Sequence, residues 1–312
     1  MNELKLSLIV PVFNEEDNIA IFVDKFIRLF QQKIDENRIE LIFVDDGSVD
    51  NSWQLILKYG EKFKWIKGLS FSFNVGSHLA IMAGINICSG DYLVFTSVDL
   101  QDPLDNILEM EKKYEYGSEI VWAVRNKRHN NSVIEKLISF LYYYLLRKGG
   151  IKNLPPTGAS MFLLGKKAIE AIKLYKERNI ALEGVFGIIG FKQDVFYYER
   201  KERQYGKSKW TLLKKIKLFL DGILGFSYYP IRIASVIGVI IFLLSVVGIF
   251  YIVLNKLIFN VVLPGWSSLM VLVSFFSGLQ FLILGILGEY IWRTLDEVRS
   301  RPKYIIKEKV NL

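Results

Sequence analysis

Two carboxylates and an amide fall within four residues in the stretch Thr96–Pro103, TSVDLQDP: Asp99, Gln101 and Asp102. They follow a short apolar run, Tyr92–Phe95, that reads as a buried parallel strand. Carboxylates at the carboxyl end of such a strand sit where open α/β sheets bind their ligands. Hard oxygen donors on a short loop suit Mg²⁺ or Mn²⁺, held jointly with the phosphates of a substrate. The same residues also read as an Asp-rich turn before a helix begun by Pro103, with Asp102 as its cap.

A second acidic pair, Asp45-Asp46, ends the strand-like run Ile39–Val44 and leads through Gly47-Ser48 into a helix from about Ser52 to Tyr59. Adjacent carboxylates at a strand end can accept from a base N–H or a ribose hydroxyl; Asp and Gly are also ordinary turn residues. The first strand, Leu6–Val12, contains Pro11 and passes through Phe13 and Asn14 to Glu15 and Glu16. Those acids complement the dipole of a helix whose apolar face is Ile19, Phe22, Val23, Phe26, Ile27 and Phe30. Gly76 permits a close turn between a third strand, Trp65–Phe71, and a helix over Leu79–Cys88, which leaves His78 as a polar helix-start residue. Cys88 is the one cysteine, so no intrachain disulfide is possible, and a small buried hydrophobe is the expected role.

These elements must be positioned by a common scaffold. The order βαβαβαβ predicts an α/β, Rossmann-like, doubly wound and mostly parallel sheet. Later strands are expected at Glu119–Val124, ending before Arg125, at Ala159–Leu164, and at Phe191–Arg200. No G-x-G-x-x-G follows the first strand, so the usual mark of a dinucleotide site is absent.

The chain of 312 residues carries 40 Lys and Arg against 32 Asp and Glu, a net charge of +8. The excess suits anionic headgroups or phosphate-bearing substrates; no nucleic-acid module is visible and no nucleic-acid partner is expected. Positive charge is densest over Lys192–Lys217, with nine basic residues against three acidic ones. Its first half reads as a loop able to close over phosphates. Its second half leads into Leu212–Phe226, patterned as an interfacial amphipathic helix. Residues 132–146 carry a similar apolar and aromatic face with basic ends.

Ile233–Leu254 contains 22 residues without a charge, and Leu257–Gly288 is uncharged too, broken near Pro264-Gly265-Trp266. At about 1.5 Å per residue, 22 helical residues cover roughly 33 Å, enough for the hydrocarbon core of a bilayer. Lys256 alone lies between the two spans, while basic residues flank both outer ends, so the globular part and both termini are expected on the cytoplasmic side. The start of the chain reads directly into a strand, with no signal peptide expected. The expected domains are 1–210 globular, 211–230 interfacial, 231–293 a transmembrane hairpin, and 294–312 a cytoplasmic tail, mobile from about Arg301. Assembly into a homo-oligomer is expected through the membrane segments.

Taken together, IVPVFNEEDNI, VDDGSVDNS, NVGSHLAIMAG, VDLQDP, RQYGKSKW, LDGILGFSYYPIR and GEYIWRTLDEVRSRPKYII, in this order, resemble the polyprenyl-phosphate (bactoprenol) glycosyltransferases. These are family 2 enzymes of GT-A fold, akin to dolichol-phosphate mannose synthase, with two C-terminal membrane helices. The resemblance implies inverting transfer of one sugar from a nucleotide sugar, UDP- before GDP-linked, to undecaprenyl phosphate at the cell membrane, with Mg²⁺ or Mn²⁺ as cofactor. It implies that Pro11, Phe13, Glu15, Asp45, Asp46 and Gly76 line the nucleotide pocket. Asp99 and Gln101 would hold the metal, Arg203 and Lys209 the phosphates, and Arg125 and Ser139 the acceptor; Asp99, Arg203 and Arg125 would carry catalysis. Two departures stand out. The usual Asp-x-Asp begins here with Ser97, and the usual Gly-Asp-Phe-Arg falls on Gly158-Ala159-Ser160-Met161. Lost charges at Ser97 and Ala159 keep open a non-catalytic nucleotide-sugar-binding scaffold at the membrane. A processive polysaccharide synthase is the other alternative, although two short spans supply no channel.

Overall fold

The computed structural model describes residues 4–126, 144, 147, 151, 154–155, 158–175, 182–199, 229–259 and 265–312. Two compact units result: Met1–Gly225 with Pro302–Leu312, and Phe226–Arg301.

The first unit is built on one eight-stranded mixed sheet. Its strands are β1 (Leu6–Val12), β2 (Ile39–Asp45), β3 (Ile66–Phe71), β4 (Tyr92–Phe95), β5 (Ile120–Arg125), β6 (Met161–Gly165), β7 (Gln193–Tyr198) and β8 (Ile306–Val310). The spatial order is β7-β5-β6-β4-β1-β2-β3-β8. Parallel pairing joins β4, β1, β2 and β3, as the βα alternation predicts, and β5 pairs parallel with β7. β6 runs antiparallel to both β4 and β5, so β5 and β7 point the same way as β4. The carboxyl ends of six strands, and the start of β6, therefore share one edge of the sheet.

β1 and β2 are buried almost throughout, as expected for central strands covered by helices on both faces. Pro11 is tolerated because the β1–β4 register ends at Ile9–Phe95, before the position where its missing N–H would be required. Helix α1 (Glu16–Asp35) buries Ile19, Phe22, Val23, Phe26 and Phe30, five residues of its expected apolar face. Helices α2 (Ser52–Lys62), α3 (Ser77–Ile87), α4 (Asn106–Glu115), α5 (Lys166–Lys173) and α6 (Leu182–Ile188) complete the layers.

At the opposite edge of the sheet, Glu40 ties three strands together. It is 1% exposed and accepts from Ser7 Oγ (2.5 Å), Ser89 N (2.6 Å) and Ser89 Oγ (2.7 Å), with Lys67 Nζ at 2.7 Å. Burial pushes this carboxyl up, but the donors from Lys67, Ser7 and Ser89 outweigh it and hold it down at about 2.

Two expectations are corrected. Helix α4 does not begin at Pro103: its first residue is Asn106, after a turn, so Asp102 caps no helix. The C-terminal segment is no mobile tail, because β8 forms an antiparallel edge strand on β3. Val310 fills the space left by Gly60 and Gly68. Trp53 Nε1 donates to Glu308 at 2.6 Å, and Asn311 Nδ2 donates to the carbonyls of Gly60 (2.6 Å) and Ile66 (2.8 Å). Tyr304 stacks on Phe71 with ring centroids 4.7 Å apart. Lys307 and Lys309 alternate with these anchors, giving the charged outer face that discourages pairing with another chain.

The second unit holds two long helices, α7 (Tyr229–Phe259) and α8 (Trp266–Val298), separated where the sequence places Pro264-Gly265. Among the described residues, one segment, Phe275–Val298, is long and apolar enough to cross a membrane. One helical turn apart on α8, Glu289 and Arg293 form an ion pair at 3.1 Å.

Candidate functional site

The turns that follow β1 and β2 are knitted into one corner. Asn14 adopts the left-handed conformation (φ 52°), its N–H donates to Ser48 Oγ at 2.9 Å, and its Oδ1 accepts from Val49 N at 2.8 Å. Glu15 N donates to Ser52 Oγ (2.8 Å), and Glu16 Oε2 accepts from Asn51 N (2.9 Å). The Glu15 carboxylate itself takes Asn18 Nδ2 at 2.6 Å. Pro11 is half-buried at the end of β1, with half-buried Phe13 beyond it.

Asp45 and Asp46 are both buried at this corner. Asp45 accepts from Ser48 N (3.1 Å) and Ser70 Oγ (2.7 Å). Asp46 accepts from Val75 N (2.7 Å), Gly76 N (2.9 Å) and Asn74 Nδ2 (2.9 Å). Its role in the fold is thus to anchor the 74–76 loop in front of α3. Gly47 has φ +71°, and a Cβ there would lie 2.7 Å from the Phe73 carbonyl carbon, so the two loops approach at backbone distance. Gly76 opens α3 with φ +100°.

The loop after β4 is compact. Ser97 Oγ donates to Asp99 Oδ1 at 2.6 Å, and Gln101 N approaches the same oxygen at 3.3 Å. Asp99 and Gln101 are 7% and 9% exposed. Leu100 between them is left-handed (φ 54°), which reverses the chain sharply enough to bring Asp99 and Gln101 onto one turn. Ser97 therefore donates to Asp99 at the position where the resembled family usually carries a carboxylate. A carboxylate, an amide oxygen and a hydroxyl are hard oxygen donors, and this set fits Mg²⁺ or Mn²⁺ when substrate phosphates complete the coordination. No group of three or more His, Cys, Asp or Glu suited to a metal occurs among the described residues.

Across the same edge, Arg125 and Tyr198 are register partners in β5 and β7. Arg125 Nε donates to Ser160 Oγ and lies 3.9 Å from Asp102 Oδ1. The Tyr198 hydroxyl donates to Asp102 Oδ1. Burial, and then the Asp102 charge, push the Tyr198 hydroxyl up to about 12, so it stays a proton donor throughout the neutral range. The Arg125 Nη groups carry no hydrogen bond among the described residues.

The structure thus gathers Asp45, Asp46, Gly76, Asp99, Gln101 and Arg125 at one sheet edge. Arg203, Lys209 and Ser139 lie outside the described residues, as do the basic loop and nearly all of the amphipathic segment 211–230. Tyr198 and Ser160 were not singled out from the sequence; a Tyr at the end of a late strand gives no signal until the strand order is known. Burial pushes the Cys88 thiol up, which keeps it protonated and excludes a ready thiolate. His78 lies in the first turn of α3, as expected.

The chain is similar to several known proteins. The sequence model of glycosyl transferase family 2 matches residues 7–173. A bactoprenol glucosyl transferase of Shigella phage SfII is 35% identical over 305 residues, 98% of each chain. An uncharacterised glycosyltransferase of Bacillus subtilis, YkcC, is 35% identical over 311 residues, 99% of this chain and 95% of that one. Among solved structures, a mannosyltransferase from Pyrobaculum calidifontis in complex with GDP-Man and Mn²⁺ matches with TM-score 0.47 at 12% identity, over 93% of this chain and 87% of that one. The chain belongs to glycosyl transferase family 2. It is a glycosyltransferase related to the bactoprenol glucosyl transferases.

Proposed function

We propose that this enzyme transfers one sugar, with inversion, from a nucleotide sugar, UDP- before GDP-linked, to a polyprenyl phosphate such as undecaprenyl phosphate at the cytoplasmic face of the cell membrane. The observation that carries the reading is Arg125. Its guanidinium is held through Nε on the sheet edge that also bears Asp99 and Gln101, while its Nη donors have no partner among the described residues. A fork of N–H donors so held matches the oxygens of a phosphate monoester.

The chemistry then divides among the chain's own groups. An acceptor phosphate oxygen is already anionic at neutral pH, so it needs orientation and desolvation more than a strong base. It attacks the anomeric carbon from the face opposite the nucleotide. The carbon–oxygen bond to the diphosphate breaks, and that electron pair leaves with the nucleoside diphosphate; no proton has to be removed. Arg125 orients the attacking oxygen. Asp45, with Pro11, Phe13 and Glu15, lines the nucleoside end, and Asp46 keeps the 74–76 loop with Gly76 beside it. Asp99 and Gln101 would hold a Mg²⁺ or Mn²⁺, which would supply charge neutralisation for the departing diphosphate. Arg203 and Lys209 are assigned to the same phosphates, and Ser139 to the acceptor, by resemblance.

A lipid acceptor is further supported by the apolar helix segment Phe275–Val298 and by the uncharged run Ile233–Leu254 within α7. Two crossings leave Lys256 alone in the outer loop and both termini in the cytoplasm. The test is transfer of labelled sugar to undecaprenyl phosphate by purified protein, across a panel of UDP- and GDP-sugars with Mg²⁺ or Mn²⁺. One donor is expected to give an EDTA-sensitive lipid product, and a panel without product overturns the proposal.

A further inference from the structure

Three side chains, Ser160, Tyr198 and Asp102, share the strand end with Arg125. Arg125 Nε–H donates to Ser160 Oγ, and the Tyr198 hydroxyl donates to Asp102. The two pairs meet where Asp102 Oδ1 lies 3.9 Å from Arg125 Nε. Tyr198 and Asp102 are buried, at 6% and 2% exposure, while the Arg125 side chain keeps 26%. Three strand ends supply the set: β5 gives Arg125, β7 gives Tyr198, and the start of β6 follows Ser160. Asp102 comes from the loop that also holds Asp99 and Gln101.

We infer that Asp102, Tyr198 and Ser160 are positioning residues that hold the Arg125 guanidinium in place for the phosphate monoester of the acceptor. The inference deepens the proposed function and rests on its assignment of Arg125 to the acceptor. Its physical basis is preorganisation. A free arginine side chain carries large rotamer entropy. Fixing Nε in advance removes part of that cost from ligand binding. A carboxylate as buried as Asp102 requires both a donor and a counter-charge. Tyr198 provides the first and Arg125 the second. Hydrogen bonds in such a cluster polarise one another, so loss of one member loosens the rest. Ser160 is where the resemblance calls for a phenylalanine, so the hydroxyl that takes Nε belongs to this chain's own solution.

The experiment is calorimetric titration of the purified full-length protein in detergent with farnesyl phosphate, a short soluble polyprenyl monophosphate. Tyr198→Phe and Ser160→Ala are each measured with Arg125 intact and in an Arg125→Lys background. UDP and GDP affinities and thermal midpoints are taken on the same samples. With Arg125 intact, each variant is expected to weaken farnesyl phosphate binding about threefold to tenfold, the worth of one hydrogen bond. Nucleotide affinity is expected to stay unchanged, and Ser160→Thr, which keeps the hydroxyl, to restore binding. In the Arg125→Lys background the same substitutions are expected to change binding less than about twofold, because their effect runs through the guanidinium. Equal weakening in both backgrounds overturns the inference. So does unchanged binding with Arg125 intact, a matching loss of nucleotide affinity, or failure of the unsubstituted protein to bind farnesyl phosphate. Sugar transfer is not read here, so an enzyme that binds the monophosphate but never glycosylates it contradicts the proposed function alone.

Discussion

Arg125 and Tyr198 face each other in the parallel register of β5 and β7, and both reach Asp102 on the loop after β4. That relationship joins the two halves of the site. The loop bearing Asp99 and Gln101 and the strand end bearing Arg125 are tied through a single buried carboxylate. The turn proposed to hold a cation and the guanidinium proposed to meet the acceptor phosphate are thereby tied together on one edge of the sheet.

The first prediction concerns Asp99. It is the one carboxylate in the proposed donor set, and Ser97 cannot replace its charge. Asp99→Ala is expected to lower sugar transfer at least about 100-fold, the usual loss when charge stabilisation at a leaving group is removed. Circular dichroism should show the fold retained, since Asp99 belongs to no strand. Transfer within about twofold of the parent rate contradicts the assignment.

The second concerns the corner between the 45–48 and 73–76 loops. A methyl group at Gly47 meets the Phe73 backbone at 2.7 Å and must also adopt φ +71°. Gly47→Ala is expected to destabilise the first unit by about 1–3 kcal/mol and to weaken nucleotide binding with it. Chemical denaturation with UDP titration on the same sample measures both, and an unchanged midpoint refutes the close approach.

The third is a pH dependence away from the site. The Glu40 carboxyl titrates at about 2 in the folded protein, below its ordinary 4.5. A lowered folded value means that the unfolded chain binds its proton first as pH falls. The stabilisation is therefore complete above about 4.5 and disappears as pH falls from 4.5 towards 2. The full shift corresponds to about 3 kcal/mol. The stability gap between the parent and Glu40→Gln is expected to be largest near neutrality and to shrink steadily below pH 4.5 in urea denaturation. A gap independent of pH removes the charge-based explanation.

The fourth concerns β8. Asn311 Nδ2 serves the carbonyls that end α2 and begin β3, and Val310 fills the space over Gly60 and Gly68. Asn311→Ala is expected to cost about 1–2 kcal/mol through unsatisfied carbonyls. Removal of residues 306–312 is expected to bare the β3 edge and promote self-association, visible by light scattering in detergent. A truncated protein that stays as monodisperse and as stable as the parent contradicts a structural role for the strand.

Much of this architecture was legible in the residues. Alternation of short apolar runs with amphipathic helices located the parallel core, and the acidic turns after β2 and β4 stood out because polar residues at strand ends break that pattern. What escaped were partnerships set by strand order. Tyr198 and Asp102 are 96 residues apart, and nothing local links them. Asp46 reads as a ligand-facing acid; that its oxygens also hold the 74–76 loop depends on how closely Gly47 lets two loops approach. Residues Ile306–Val310, IKEKV, read as a solvated tail because an edge strand shows charge on its open side. Its pairing with β3 is visible only once the antiparallel return is known. Pro103 suggested a helix start, but the chain first makes a turn that leaves Asp102 to Tyr198.

In the proposed reaction a lipid monophosphate oxygen takes one sugar at the sheet edge that bears Asp99 and Arg125. Accurate-mass analysis of the lipid fraction after reaction tests it most directly. The account predicts undecaprenyl phosphate carrying a single glycosyl unit on its one phosphate, with free nucleoside diphosphate in equal amount. A lipid diphosphate, a ladder of longer glycans, or nucleotide release without glycolipid would contradict it.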